Sequence, residues 1–326
     1  MKIMKHVPEE VSSRLASHEM AYEAVRNALI AAADSETATF PVVIGHGSDP
    51  NNVYAIKSCA VAEIAGLKVG SYWPGNDRLG VPRHNSIIFL FDQDTGRIGA
   101  AVEAGHLNAF RTAAADAVAA DILARKDAST LAIFGAGHQA GFEVQALSRI
   151  RGITHVLVVA RNREKGAGFA TGLRRAGLEA AVCSAEEACR RADIVVTATS
   201  SCEPLFEADW VKPGSHVASM GSDTSGKQEL PPGLFEHASL FCDLPGQSRS
   251  IGEFQHAAEY LHLAAIGDVL CGRAPGRTDD DEITVFDSSG LSVQDIYIAR
   301  AVLELVECER SQRPDLGAEM SGGNGR

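Results

Sequence analysis

Residues 130–140, TLAIFGAGHQA, decide the fold of this chain. An apolar run at 131–134 is followed by glycines at 135 and 137, and a helical pattern of polar and apolar residues then runs over 139–149. This order of strand, glycine turn and helix N-terminus is the arrangement that binds a dinucleotide pyrophosphate. Gly135 permits the tight turn, and Gly137 lets the backbone approach the phosphates, while the free N–H groups of the helix face the anion.

A second buried strand is predicted at 154–160, THVLVVA, because this run is rich in β-branched residues. Arg161, Asn162 and Arg163 follow, at the place where a dinucleotide site faces the adenosine ribose. An acidic residue there binds the 2′-hydroxyl of NAD, whereas two guanidinium groups suit the 2′-phosphate of NADP. We therefore predict that NADP(H) is preferred over NAD(H). The alternative is that both arginines are solvated charges at the start of the next helix.

Two further strands continue the pattern of a parallel sheet. Residues 192–199, ADIVVTAT, and 214–221, GSHVASMG, are apolar runs that end in small polar residues. Strands that alternate with helices of this length predict the α/β class, with a doubly wound parallel sheet.

Composition limits the possible partners and compartments. The length of 326 residues allows two domains, and the formal net charge of −12 argues against nucleic acid and anionic membranes as partners. The seven cysteines form no CxxC pair and the histidines are scattered, so no metal site is predicted. With no leading apolar segment and no run long enough to span a membrane, we expect a cytoplasmic protein without disulfides. Residues 321–326, SGGNGR, are typical of a disordered tail.

The first hundred residues follow a different pattern. An alanine-rich amphipathic helix is predicted over 19–33, and a helix over about 108–124 carries Arg111 and Thr112 in its first turn. A cation and a hydroxyl near a helix N-terminus favour an anion there, although an arginine also simply begins many helices. Between these helices, β segments are expected at residues 42–44, 53–56, 68–73 and 86–91, and the turn at 92–96, DQDTG, joins the last of them to 98–102 as a hairpin.

Four features together resemble the ornithine cyclodeaminase/mu-crystallin family. They are Lys68, the Arg111–Thr112 pair, the glycine turn at 135–140 and residues 221–230, GSDTSGKQEL. The likeness runs from about residue 10 to about residue 310, and the Arg-Thr helix start and the G-x-D-x-x-G-K-Q-E-L segment are its most specific parts. Within the family, residues 72–74 (YWP), 84–86 (HNS) and 250–257 (SIGEFQHA) are similar to iminosuccinate reductases.

The resemblance implies a homodimer of two-domain subunits. Residues 1–110 with 292–326 would form an α+β substrate-binding and dimerisation domain, completed by an apolar-striped helix over 292–308. Residues 111–291 would form the dinucleotide-binding Rossmann domain. The active site would lie in the cleft between the domains, at the carboxyl ends of the strands.

The resemblance also implies which residues meet an imino acid. Lys68 and Arg111 match the family's pair for the substrate carboxylate, and Lys68 would also hydrogen-bond the substrate nitrogen. Asp223 matches the catalytic aspartate, which in a reductase would orient the iminium and accept its positive charge. From the residues alone, an Asp before Thr-Ser-Gly favours a turn cap, and the catalytic role is what the resemblance implies.

One arginine that is usual in the family is missing here, since residues 40–46, FPVVIGH, contain none. Lys57 and Arg83 are the candidate replacements, and His84 beside Arg83 is a further candidate contact with the substrate. Extra cations suit a dicarboxylate such as iminosuccinate and disfavour the ammonium tail of ornithine or lysine. The alternative is that Lys57 and Arg83 are surface cations.

The candidate cofactor-binding residues lie around the glycine turn, after the second strand, at the ends of the later strands and before the C-terminal helix. They are Thr112, Gly135, Gly137, His138, Gln139, Arg161, Asn162, Arg163, Thr197, Thr199, Ser219, Met220, Gly221, Ser288 and Gly290.

Three functions follow from these observations. The first is an NAD(P)H-dependent imine reductase that makes an α-amino acid, with iminosuccinate to aspartate as its sharpest form. The second is an ornithine- or lysine-type cyclodeaminase with tightly bound NAD, and the third is a non-catalytic, mu-crystallin-like binding protein. Intact Lys68, Arg111 and Asp223 argue against the third. The arginines at 161 and 163 and the cation-rich substrate region argue against the second.

Overall fold

A computed structural model describes residues 4–312 of the chain. Within them the chain forms two compact units. The first unit comprises Ala38–Asn108 with the residues before Val25 and those from Ser292 onward, and the second comprises Val25–Thr37 and Ala109–Leu291. The tail predicted at 321–326 lies outside the described residues.

Short strands dominate the N-terminal third of the chain, and strands alternate with helices after it. The N-terminal elements are β1 (Lys5–Val7), α1 (Glu9–Leu15), α2 (His18–Ala32), β2 (Ala38–Thr39), β3 (Val43–His46), β4 (Val53–Ala60), β5 (Ala65–Tyr72), β6 (His84–Phe91) and β7 (Ile98–Glu103). The later elements are α3 (Leu107–Leu123), β8 (Thr130–Phe134), α4 (His138–Ile150), β9 (His155–Val159), α5 (Arg163–Arg175), β10 (Glu179–Val182), α6 (Ala185–Arg191), β11 (Ile194–Thr197), β12 (His216–Ser219), β13 (Ser239–Cys242), α7 (Pro245–Ile251), β14 (Leu263–Ala265), α8 (Ile266–Leu270), β15 (Thr284–Asp287) and α9 (Ser292–Gln312).

The first unit is built on a seven-stranded sheet in the order β1-β7-β6-β5-β4-β2, with β3 also paired to β4. Its pairs are antiparallel except for β1 with β7. The predicted hairpin is confirmed, because β6 and β7 are antiparallel with Phe91 opposite Ile98 across the turn at 92–96. Since successive side chains of a strand point to opposite faces, β4 to β6 bury one face, which carries Cys59, Ile88 and Leu90.

Helix α9 covers this buried face, although it comes from the other end of the chain. It packs on β4, β5 and β6 and buries Ile296, Ala299 and Val302. The helix lies close to the sheet at Gly66, where a Cβ atom would come within 2.9 Å of Cγ2 of Ile296. The helix predicted at 292–308 is therefore confirmed and extends to Gln312.

The second unit is built on an eight-stranded parallel sheet in the order β10-β9-β8-β11-β12-β15-β13-β14. The predicted parallel α/β sheet is confirmed. Strands β11, β12 and β15 are buried along their whole length, as is typical of the central strands of a parallel sheet. The register aligns Phe134, Thr197, Ser219 and Asp287 as neighbouring strand ends. The loops that follow these four strands therefore start from one edge of the sheet.

Residues 25–37 depart from the expected division, since they group with the second unit rather than the first. The reason lies in α2, whose C-terminal half packs within that unit. A Cβ atom at Gly267 would overlap the carbonyl oxygen of Leu29, and Arg273 donates to the carbonyl of Ala33 at 3.0 Å. The amphipathic pattern predicted the helix but not the surface on which it packs. Within residues 4–312, no helix is long and apolar enough to cross a membrane.

Candidate active site

The glycine turn after β8 fits a dinucleotide pyrophosphate. Gly135 has φ +117°, and a Cβ atom there would lie 2.8 Å from the carbonyl oxygen of Ala198. Gly137 is the N-cap of α4, and no side chain caps this helix. A Cβ atom at Gly137 would meet nothing within 4 Å, so a ligand can approach the backbone at the start of α4. This cradle suits a phosphate held by backbone donors.

Gln139 connects the start of α4 to α3. Its side-chain amide donates to the carbonyl of Ala109 at 3.2 Å and to Oε1 of Glu143 at 2.7 Å. Glu143 and Asp116 are fully buried. Burial raises the pKa of Asp116 to about 7, and burial beside Asp116 raises the pKa of Glu143 well above its usual range. Gln139 is thus fixed between two helices by hydrogen bonds to Ala109 and to this buried carboxyl pair.

Arg161, Asn162 and Arg163 are all exposed after β9. Asn162 has a local role as the N-cap of α5, since its Oδ1 accepts the backbone N–H of Lys165 at 2.9 Å. The next acidic residue along the chain, Glu164, lies in the first turn of α5. The two guanidinium groups are accessible to a ligand, and the preference for NADP stays a prediction.

A buried carboxylate, Glu229, ties the carboxyl ends of β11 and β12 together. Its oxygens accept the backbone N–H of Thr199 at 2.7 Å and of Gly221 at 2.9 Å. They also accept the hydroxyls of Thr197 at 2.8 Å, Thr199 at 2.7 Å and Ser219 at 3.1 Å. Burial raises the pKa of Glu229, while these hydrogen bonds act in the opposite direction. All four partners are predicted cofactor residues, and their polar groups point at Glu229.

Glu253 is a second buried carboxylate and holds the segment that carries Glu229. Its oxygens accept the backbone N–H of Glu229 at 3.0 Å and of Leu230 at 2.7 Å, and the hydroxyl of Ser219 at 3.1 Å. Burial raises the pKa of Glu253 to about 7. Glu229 and Glu253 thus accept hydrogen bonds from backbone N–H groups that have no partner in a neighbouring strand.

Asp223 lies in the loop between these anchored segments, four residues after β12 ends. Its side chain is 53% exposed, and Nζ of Lys227 lies 2.6 Å from its Oδ1. Lys227 also donates to the carbonyl of Gly221 at 3.1 Å. The loop is further held by Gln255, whose Oε1 accepts the backbone N–H of Gly226 at 2.9 Å. An accessible carboxylate suits the stabilisation of a cationic nitrogen.

Arg111 is buried at the start of the second turn of α3, with 9% of its surface exposed. Its guanidinium group lies against Gly290, where φ is +76° and a Cβ atom would overlap the group. The N–H of Gly290 donates to Asp243 at 2.8 Å, and Gln247 donates to its carbonyl at 3.0 Å. Ser288 donates its hydroxyl to the same Asp243 oxygen at 3.3 Å. The loop at 288–290 therefore fixes the position of a buried cation.

Lys57 and Lys68 face each other in the sheet of the first unit. They are directly paired across β4 and β5, so their side chains leave the same face. Nζ of Lys68 lies 2.8 Å from Oδ1 of Asp295 and 3.1 Å from Oδ1 of Asn108. Lys57 is half-buried, whereas Lys68 is buried. The register thus places Lys57 beside Lys68, which is itself paired with Asp295.

Arg83 directly precedes β6 and His84 is its first residue, and both are exposed. His84 is paired with Tyr72, their rings lie 4.7 Å apart, and the strand alternation places both on the face of Lys68. Arg83 forms an ion pair with Asp77, in which Nε lies 2.6 Å from Oδ1. Of the two candidate replacements for the missing arginine, Lys57 is the one that the register places on the face of Lys68.

The predicted residues divide between the two units. Lys57, Lys68, Arg83 and His84 belong to the first, and all the others belong to the second. The sequence did not reveal the buried partners Glu229, Glu253, Asp243 and Asp295. Glu229 belongs to the G-x-D-x-x-G-K-Q-E-L segment, but no role for it was predicted from the sequence. Among residues 4–312, no group of three or more His, Cys, Asp or Glu side chains is placed to hold a metal ion.

Comparison with known proteins gives matches over nearly the whole chain. Residues 1–309 match the model of the ornithine cyclodeaminase/mu-crystallin family. Over 311 residues, the chain is 39% identical to the iminosuccinate reductase of Paracoccus denitrificans, with 92% of this chain and 96% of that protein covered.

Solved structures show the same similarity. The crystal structure of the Paracoccus denitrificans iminosuccinate reductase in complex with NAD+ has a TM-score of 0.87 at 37% identity. An archaeal alanine dehydrogenase dimer with bound NAD has a TM-score of 0.87 at 32% identity. Each alignment covers 94% of this chain and 97% of the other.

The role of Glu229 leads to a prediction for Glu229→Gln. Each carboxylate oxygen accepts a backbone N–H, Oε1 from Thr199 and Oε2 from Gly221, so the NH₂ group of a glutamine faces a donor in either orientation. We expect the free energy of unfolding to fall by about 2–4 kcal/mol, measured by urea denaturation at pH 7. The exposed control Glu203→Gln should change it by less than about 0.5 kcal/mol. Equal stability of the two variants would contradict the anchoring role.

Proposed function

The chain belongs to the ornithine cyclodeaminase/mu-crystallin family, and on that premise we propose that it is an oxidoreductase that reduces an imino acid with a nicotinamide dinucleotide. We further propose that the substrate is iminosuccinate and the product aspartate. The observation that carries this choice is the cross-strand pair of Lys57 and Lys68 on one face of the first sheet.

Paired cations favour a substrate with two carboxylates. Lys68 is paired with Asp295, and Lys57 opposite it adds a further positive charge that a second substrate carboxylate can meet. In this proposal Lys68 and Arg111 bind the carboxylate next to the C=N bond, and Lys57 binds the second one. The planar guanidinium group of Arg111 suits a bidentate carboxylate contact, and Gly290 holds that group in place. The ammonium tail of ornithine would instead meet like charge at Lys57.

The reduction adds a hydride to the imine carbon and leaves a proton on the nitrogen, so that C=N becomes CH–NH. When bound, the reduced nicotinamide supplies the hydride. Asp223 accepts a hydrogen bond from the protonated imine nitrogen and stabilises the positive charge that makes the carbon electrophilic. Lys227, with Nζ 2.6 Å from Oδ1, helps to hold this carboxylate in place.

The glycine turn and the N-terminus of α4 would hold the pyrophosphate, as their open backbone geometry allows. We propose NADPH as the preferred reductant because Arg161 and Arg163 are exposed at the end of β9. The similar solved structures contain NAD, so this preference is a property in which the chain would differ from them.

We also propose that the enzyme is a cytoplasmic homodimer. Phe40, Val43, Ile44 and Val53 are between 36% and 59% exposed around β3 and its partner β4. A group of exposed apolar side chains is typical of a protein interface, and a second copy of the chain is the expected occupant. All seven cysteines are free thiols, which fits a reducing compartment.

The first test of this function is a comparison of substrates. Iminosuccinate, formed from oxaloacetate and ammonia, should be reduced with a higher kcat/KM than the imine of pyruvate, measured from absorbance at 340 nm with each reduced cofactor. Lys57→Met should lower kcat/KM for the dicarboxylate by at least about thirtyfold and leave the monocarboxylate nearly unchanged, because the second carboxylate loses its partner. The control is Lys126→Met, which removes a lysine whose side chain is 78% exposed.

Two other results would correct the proposal. Equal losses for both substrates would place Lys57 on the common carboxylate, and a selective loss in Arg83→Ala instead would assign the second carboxylate to Arg83. Rapid release of ammonia from ornithine without added reduced cofactor would make the chain a cyclodeaminase.

The role of Asp223 is tested with Asp223→Asn. This change keeps the shape of the side chain but removes the charge, so kcat should fall by at least about 100-fold while the cofactor Kd changes little. Steady-state kinetics and cofactor fluorescence measure the two quantities, with the exposed Asp209→Asn as control. A variant with near-normal kcat would reduce Asp223 to a turn residue.

The cofactor preference is tested with the double variant Arg161→Gln/Arg163→Gln. Loss of one charge-assisted contact to the 2′-phosphate should lower the NADPH/NADH ratio of kcat/KM by roughly tenfold or more. The matched control, Arg149→Gln/Arg175→Gln, removes the same charge from other exposed positions of the second unit. An unaltered ratio would show that the two arginines lie outside the ribose pocket.

A further inference from the structure

Lys68 forms a buried ion pair with Asp295, a residue 227 positions further along the chain. The side chains of Lys68 and Asp295 are 9% and 2% exposed, and their charged atoms lie 2.8 Å apart. Asn108 accepts a further hydrogen bond from Lys68 at 3.1 Å. The ammonium group is therefore held by two partners on two different helices.

The surroundings of Lys68 explain why a counter-ion is needed. A buried ammonium is costly unless it is paired, and Lys57 opposite it adds like charge. Cys59, on the same face of β4, remains a neutral thiol because burial raises its pKa to about 12. His84 lies further along the face, opposite Tyr72. Among these groups, Asp295 is the one that carries negative charge next to Lys68.

The packing of α9 against the sheet fixes the position of Asp295. Its neighbour Ile296 packs against Gly66 of β5, two residues from Lys68. About one turn before Asp295 in the same helix, the hydroxyl of Ser292 donates to the carbonyl oxygen of Ser58 on β4 at 3.1 Å. The carboxylate is thus placed by contacts on both sides of its own position in the helix.

We propose that Asp295 is a positioning residue for the reaction, which keeps Lys68 in its charged form and fixes the direction of its ammonium group toward the substrate. The inference rests on the proposed function only in so far as Lys68 contacts the substrate. Asp295 itself acts through Lys68 and does not touch the reacting atoms.

The proposal predicts a pH-dependent defect in Asp295→Asn. Without the carboxylate, the buried amine loses its proton at lower pH, and each unit above that point costs about tenfold in the charged fraction. The ratio of variant to wild-type kcat/KM for the imino acid should therefore fall at least about tenfold between pH 6.5 and pH 9. Glu304→Gln, which breaks an exposed ion pair on the same helix, should give a constant ratio. A loss of equal size at every pH would overturn the proposal.

A second measurement does not depend on catalysis. Competitive acetylation with acetic anhydride at pH 7.5, read by peptide mass spectrometry, should label Lys68 severalfold more in Asp295→Asn than in wild type, relative to exposed Lys126. This result is expected even if wild type reduces no imino acid, in which case the proposed function fails and the assignment of Asp295 stands. Unchanged labelling in a folded variant would overturn the assignment.

The double variant Lys68→Met/Asp295→Asn covers the case in which Asp295→Asn does not fold. Removal of both charges should restore folding, measured by circular dichroism, because no buried charge is then left uncompensated. A double variant that also fails to fold would give Asp295 a structural role of its own and overturn the proposal.

Discussion

The second unit depends on one buried carboxylate, that of Glu229, which accepts hydrogen bonds from backbone N–H groups. A parallel sheet brings its strand ends to one edge, where the chain leaves the ladder and its N–H groups lose their strand partners. Glu229 supplies acceptors to the residues after β11 and after β12, and Glu253 supplies them to the segment that carries Glu229. The loop of Asp223 is thereby held at both ends, while its carboxylate remains exposed.

In each unit a buried carboxylate helps to position a buried cation. In the second unit, Asp243 holds the loop at 288–290, and that loop places the guanidinium group of Arg111. In the first unit, a carboxylate on α9 places the ammonium group of Lys68. Each of these charges is costly to bury, and each is compensated by hydrogen bonds or an ion pair. Side chains held in this way need little reorganisation when a charged substrate arrives.

The sequence predicted those parts of the fold and the candidate site that depend on local pattern. The strand at 130–134, the turn with Gly135 and the hairpin at 92–96 each show a periodicity or a turn residue that neighbours in the sequence explain. Strand β1 and helix α1 were not predicted, because they are short and mostly polar. The role of Asp295 could not be predicted either, because its partner Lys68 lies on β5, a strand far away in the sequence. Tertiary contacts between distant segments leave no local signal.

The contribution of α9 to the first sheet has a consequence for the order of events on the ribosome. The seven strands are complete once residue 103 has been synthesised, yet the carboxylate that neutralises Lys68 emerges 227 residues after that lysine. At roughly 5–20 residues per second, the interval from residue 103 to residue 295 leaves the nascent sheet for roughly 10–38 s without the carboxylate of Asp295 and with one face uncovered. The parallel sheet, whose strands lie entirely within that interval, can form first. Chain connectivity therefore favours a sequence of folding in which the N-terminal unit is the last to be completed.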